Sequence, residues 1–261
     1  MSKLRFSPAK QLWMINRLAS ERGRILREAL QKTVEQVGVQ AIDDELHRMV
    51  GSQYLNKLGA YGLRGETLFA VPCIIRARPT VSGYYRLVLG MSGKDYGRQG
   101  LDKWIQVEKE ESSALSDQEI SSLCESLIRA AEELIAQIDT SNITNDLFHE
   151  LSLLTLGAQL NGSYRVTIGQ QAVAAVRRLI EKIVGQRCRE VVIQGNVIRF
   201  ANAAGRMVEI RFGSDPDILV TEKIGDQHRQ VLSVEVKGGT DPSNIHNRLG
   251  EAEKSHLKLS A

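Results

Sequence analysis

The sequence predicts an α/β protein in which a mostly helical N-terminal region precedes a compact sheet flanked by helices. Two patterns point there. Through the first 160 residues apolar side chains recur near the 3.6-residue period of a helix, and after residue 188 they give way to short β-branched runs separated by Gly, Asn and Asp. The 261 residues are 42% hydrophobic and 25% charged, enough to bury a sizeable core and too apolar for a disordered chain.

Residues 9–37 carry Leu12, Trp13, Ile15, Leu18, Ile25, Leu26, Ala29, Leu30, Val34 and Val37 with Arg and Glu between them, which predicts a long amphipathic helix. A shorter helix follows over 41–50. Gly59, Gly62 and Gly65 mark a turn-rich stretch, and the apolar run from Thr67 to Ile75 reads as a strand or a buried extended segment. Residues 108–117 (EKEESSALSD) suit a surface linker, and Ser116 with Glu119 makes a capping box that opens the next helix, with Ile120, Leu123, Leu127, Ile128, Leu134, Ile135 and Ile138 on one face. A helix over 142–160 is expected to break at Asn161-Gly162-Ser163, and another to run through Ile168, Val176, Ile180 and Ile183 to Gly185. Strands are expected at 190–194, 196–201, 206–212, 217–221 and 230–237, and a final helix from Pro242-Ser243 to about Lys258.

The net charge of +3 is unevenly placed: 17 Lys and Arg stand against 10 Asp and Glu in residues 1–108, 2 against 10 in 109–162, and 15 against 11 in 163–261. Two basic regions flanking an acidic one suit a polyanionic partner, and equally a mixed solvated surface. No window of 18 apolar residues exists and MSKLRFSPAKQLW lacks a secretory signal's apolar run, so a cytoplasmic protein with no membrane partner is expected. Cys73, Cys124 and Cys188 are odd in number and set among aliphatics, which argues for small core residues rather than a disulfide framework or a thiolate metal site.

The chemistry concentrates in SDPDILV (214–220) and LSVEVKGG (232–239). Strand alternation sends Ser233, Glu235 and Lys237 to one face and Leu232, Val234 and Val236 to the other, and Asp217 opens a neighbouring strand. Two carboxylates and a lysine at one sheet edge suit Mg²⁺, which takes a few carboxylate oxygens together with waters and phosphate oxygens. The chemistry is then metal-assisted phosphodiester hydrolysis, with Lys237 holding the nucleophile and offsetting developing charge. A solvated strand with an i,i+2 Glu/Lys pair would carry the same letters. The apolar setting of both segments, Gly238-Gly239 directly after the lysine and a polar helix beyond it favour the site.

In that helix Asn244, His246, Asn247, Arg248 and Lys254 could meet base edges or phosphates, or the helix could be an ordinary solvated one with Glu251 and Glu253 among its bases. Other chemistries lack their motifs: there is no Gly-rich phosphate loop with Lys-Ser/Thr, no HExxH and no GxSxG, and the five histidines have no metal-ligand spacing. Glu66 in GLRGE could assist the site or contact DNA, or simply pair with Arg64 or Arg76.

GLRGE (62–66), VPCIIRARP, GYYRLVLGMS, LTLGAQLNGSYR (154–165), SDPDILV and above all VEVKGGTDPSNIHNRLGEAEKSH (234–256) resemble the XcyI-type restriction endonucleases of the PD-(D/E)xK nuclease superfamily. The resemblance runs through most of the chain. It implies a type II site-specific deoxyribonuclease that cuts double-stranded DNA at a short palindromic, C·G-rich site with Mg²⁺, acts as a homodimer, and has a cognate methyltransferase in its host. Asp217, Glu235 and Lys237 fall on the superfamily's catalytic positions, with Asp217, Glu235 and the Val236 carbonyl as metal ligands. The implied architecture is a helical region over 1–140 for DNA binding and dimerisation, and a PD-(D/E)xK core, a mixed sheet flanked by helices, over 142–261.

Two departures stand out. Where many superfamily members place an extra Glu on the helix opening the core, this chain offers Gln170 and Gln171. The superfamily core also ends on a strand, whereas here the second helix is expected to finish at the last residue; another strand substitutes, a partner chain completes the sheet, or the chain is a shortened member. A non-catalytic DNA-binding relative and a repair or recombination nuclease are the alternatives.

Overall fold

Helical periodicity in the N-terminal half and short β-branched runs after it give the two parts of the computed structural model, which describes residues 8–109, 115–144 and 146–238. The chain divides into two units, Met1–Gly162 and Ser163–Ala261.

In the first unit the long helix expected over 9–37 is two helices, α1 (Pro8–Ile25) and α2 (Arg27–Val37), parted at Leu26, whose backbone is extended and whose side chain is buried. Gly38, at φ 88°, turns the chain into α3 (Val39–Met49), and α4 (Ser52–Gly59) follows. The run 67–75 is not a strand. Leu68–Val71 is buried but has no ladder, and Pro72 at the first helical position opens α5 (Pro72–Ala77). The Glu45 carboxylate accepts from the Cys73 N–H at 2.7 Å, satisfying a donor that the first turn of α5 leaves over.

α6 (Ser82–Val88), α7 (Gly93–Arg98), α8 (Asp102–Glu108) and α9 (Asp117–Gln137) pack on the same core. The capping box that opens α9 forms as the sequence predicts: the Glu119 N–H donates to Ser116 Oγ while the Glu119 carboxylate accepts from the Ser116 N–H. Inside lie Tyr84 and Tyr85, edge to face at 5.3 Å, their hydroxyls donating to the Thr67 and Glu66 carbonyls. Arg86 is also buried, and its guanidinium grips Glu108 through two hydrogen bonds of 2.8 and 2.7 Å.

A single helix, α10 (Leu147–Arg187), replaces the two expected over 142–185. Gly162 costs such a helix only about 1 kcal/mol, and apolar contacts on either side of it outweigh that: Leu156 and Leu160 pack against Ile25, Leu26 and Leu87 in the first unit. In the second, Val176, Ile180 and Val184 lie on the sheet.

That sheet is β1 (Arg189–Gln194), β2 (Val197–Ala201), β3 (Met207–Phe212), β4 (Ile218–Ile224) and β5 (Gln227–Val234), in the order β1-β2-β3-β4-β5. The runs read from the sequence are all strands. The pairing differs from the mixed sheet expected: all five described strands are antiparallel, because short turns such as Gly195-Asn196 and Gly225-Asp226 join sequence neighbours as hairpins. Ile198, Ile210, Phe212 and Ile218 form the core under α10. In β5, Leu232 pairs with Val220 and Gln230 with Thr221, so Val231 is an extra residue, a bulge. The closing helix expected at 242–258, and with it the question of a last core strand, lies outside the described residues.

Candidate active site

β4 and β5 position the acidic pair. The last ladder pair is Ile218 with Val234. Asp217 and Glu235 are the residues that follow this pair outward on the two segments. β5 ends there, earlier than the 230–237 expected, because the Val236 N–H donates to the Asp217 carboxylate Oδ2 at 2.7 Å. This bond ties the PD segment to the ExK segment.

Alternation holds past the end of the strand in part. Val234 and Val236 pack on the sheet core as expected, whereas Leu232 lies at the edge and is 52% exposed. On the other face Ser233 is buried, the Glu235 side chain is 18% accessible and Lys237 is 34% accessible. Lys237 Nζ donates to Glu235 Oε1 at 2.6 Å. Two separate hydrogen bonds thus meet on the 235–237 segment, one tying it to Asp217 and one joining Lys237 to Glu235. Among the described residues Asp217 accepts through Oδ2 and Glu235 through Oε1, so each carboxylate keeps a second oxygen, and the donor set is the hard oxygen type that Mg²⁺ selects. No group of three or more His, Cys, Asp and Glu side chains suited to a metal occurs among the described residues. Gln170 and Gln171 lie mid-helix in α10, exposed.

The surroundings are pinned by other charges. Arg177 of α10 donates to Glu181 and to the Gly195 carbonyl and stacks over Phe212 at 5.1 Å, holding the helix on the β1–β2 turn. Glu222 lies on the core side of β4; burial acts to raise its carboxyl, but donation from Asn202 and Arg206, with Arg229 nearby, leaves it below the usual carboxylate range. Glu209 shows the same balance between Arg199 and Arg211.

Elsewhere, Glu66 is buried in the first unit and accepts from Arg64 Nε at 2.6 Å, the plainer of its two readings, while Arg76 pairs with Asp117. The cysteines are free thiols; Cys124 is buried, Cys73 and Cys188 half-buried. Burial, with Glu45 beside it, pushes the Cys73 thiol up to about 12. Asn244, His246, Asn247, Arg248 and Lys254 lie outside the described residues.

Comparison with known proteins decides the family. The family described as XcyI restriction endonuclease matches residues 15–261. The type II restriction enzyme XcyI of Xanthomonas campestris pv. cyanopsidis is 38% identical over 98% of this chain and 79% of its own length. Cfr9I, a type II restriction enzyme of Citrobacter freundii, is 38% identical over 96% of this chain and 77% of its own. The chain belongs to the XcyI restriction endonuclease family. It is a restriction endonuclease, and the family match spans Asp217, Glu235 and Lys237. No solved structure matches it significantly. No helix among the described residues is long and apolar enough to cross a membrane.

Proposed function

We propose that this XcyI-family member is a type II site-specific deoxyribonuclease of the PD-(D/E)xK kind, hydrolysing double-stranded DNA at a short, palindromic, C·G-rich site with Mg²⁺. The observation that supports the reading is the hydrogen bond from Val236 N–H to Asp217 Oδ2, which ties Asp217 to the segment carrying Glu235 and Lys237. Asp217, Glu235 and the Val236 carbonyl would hold the ion, which when bound would supply Lewis-acid polarisation of the phosphate and stabilise charge on the leaving oxygen.

The protein's own residues do the rest. Lys237 orients the attacking water and offsets negative charge gathering on the phosphate. Its ion pair with Glu235 holds the ammonium beside the carboxylates, ready to exchange toward phosphate when DNA arrives. Asn244, His246, Asn247, Arg248 and Lys254 contact bases and phosphates, and the mostly helical residues 1–140 contribute DNA binding and dimerisation. A palindrome calls for two sites about a two-fold axis, hence a homodimer. The enzyme acts in the cytoplasm beside a cognate methyltransferase.

Plasmid digestion with and without Mg²⁺ tests the reading. Discrete fragments that vanish for Lys237→Ala support it. No cleavage with any divalent metal while binding persists selects the non-catalytic alternative, and cutting of branched DNA without sequence preference selects the repair nuclease.

A further inference from the structure

We infer that Gly238 is a positioning residue for Lys237: the absence of a side chain there lets the ExK segment rest directly on the backbone of α10, and that contact sets where the ammonium sits. The inference rests on the active-site reading above.

Beyond Val234 the segment has left the ladder, so sheet hydrogen bonding no longer fixes it. Val236 is held by its N–H on Asp217 and by its side chain in the sheet core. Lys237 comes next, and its other covalent neighbour is Gly238. A Cβ on Gly238 would stand 2.7 Å from the Ile168 carbonyl oxygen, 3.0 Å from Ala172 Cβ and 3.1 Å from Gly169 Cα. The first and third of these are helix backbone. The Ile168 oxygen lies within the continuous α10 ladder and cannot swing aside as a flexible side chain would. Ordinary contact begins at 3.4 Å, so even one methyl group obliges the segment to retreat by about 0.7 Å.

One peptide unit separates that retreat from the Lys237 Cα. Misplacement of a catalytic group by about 1 Å costs roughly 100-fold in rate. Gly169 behaves differently despite touching the same contact: a Cβ added there meets nothing within 4 Å, so Gly169→Ala serves as a control in the same helical turn. Ala172→Gly removes one of the three opposing groups and gives a displaced segment partial room to return.

The test uses the full chain: single-turnover plasmid cleavage at saturating enzyme and Mg²⁺, gel-shift affinity for the same DNA without divalent metal, and the thermal midpoint. Gly238→Ala is expected to cut about 10- to 100-fold more slowly with affinity and midpoint unchanged. Gly169→Ala should match the parent in rate and affinity, with a midpoint no lower, and Ala172→Gly added to Gly238→Ala should recover part of the rate. If Gly238→Ala cuts within twofold of the parent while Lys237→Ala is inactive, the inference falls and the active-site reading stands. If Lys237→Ala cuts like the parent, or the parent does not cut at all, both fall. A rate loss matched by loss of midpoint and affinity, without recovery by Ala172→Gly, assigns Gly238 to folding and overturns the positioning role.

Discussion

Asp217→Asn separates the carboxylate's charge from its hydrogen bond. In the parent, Asp217 Oδ2 accepts from the Val236 N–H at 2.7 Å, and the amide oxygen of asparagine can accept from the same donor. Exchanging a charge-assisted bond for a neutral one lowers stability by about 1 kcal/mol. The loss to catalysis is larger: removing one of the two carboxylates proposed to hold the ion should forfeit about 3 kcal/mol or more of transition-state stabilisation, at least about 100-fold in rate. Asp217→Ala is the contrasting variant, because it also strands the Val236 donor at about 1–3 kcal/mol. Single-turnover cleavage at saturating Mg²⁺, with urea unfolding of each variant alongside, reads both quantities. Cleavage by Asp217→Asn within tenfold of the parent would refute the reasoning, since the carboxylate would then hold no ion that the reaction needs.

Two further outcomes concern the first unit. Arg86→Met leaves Glu108 buried beside an apolar side chain and should cost about 3–5 kcal/mol at pH 7, with Glu108→Leu added to it recovering most of the loss. Burial already raises the Glu108 carboxyl and Arg86 holds it down; without Arg86 it rises further, so the variant's deficit should shrink as pH falls toward 4.5 and grow above it, and a deficit independent of pH in urea titrations would contradict this. Glu119 moves the other way: Lys103 first, and the Ser116 cap, depress it from 4.5 to about 2, so its contribution is full above pH 4.5 and lost as pH falls through about 2. Glu119→Gln should therefore unfold more readily than the parent at pH 7 and converge with it near pH 2, and Ser116→Ala should cost about 1 kcal/mol through the lost cap.

Features fixed by near neighbours were legible in the sequence. The Ser116–Glu119 box needs only a three-residue spacing, and the five strands are marked by alternation and by Gly, Asn and Asp between them. Features fixed by distant partners were not. The run 67–75 is apolar throughout, so periodicity cannot tell strand from helix, and the outcome follows from Pro72 and from a carboxylate 28 residues upstream. Asn161-Gly162-Ser163 carries real helix-breaking tendency, but its cost is small beside the apolar contacts that α10 makes on both sides of it.

The candidate site divides along the same line. Asp217, Glu235 and Lys237 are recognisable because few side chains suit a hard cation and a phosphate, and a strand otherwise apolar makes their charges conspicuous. The end of β5 was not recognisable: residues 235–237 keep strand-like letters, yet the Asp217 carboxylate takes the Val236 N–H, so a side chain stands where a ladder partner would. The glycine after the lysine was visible as a letter, and its reason lay 66 to 70 residues away, in the backbone of Ile168 and the methyl of Ala172. Chemical identity at this site is therefore a local property of the sequence, whereas its geometry depends on the Asp217–Val236 bond and on α10, and a larger side chain at Ala172, which lies against Gly238, should alter turnover without touching any charged group.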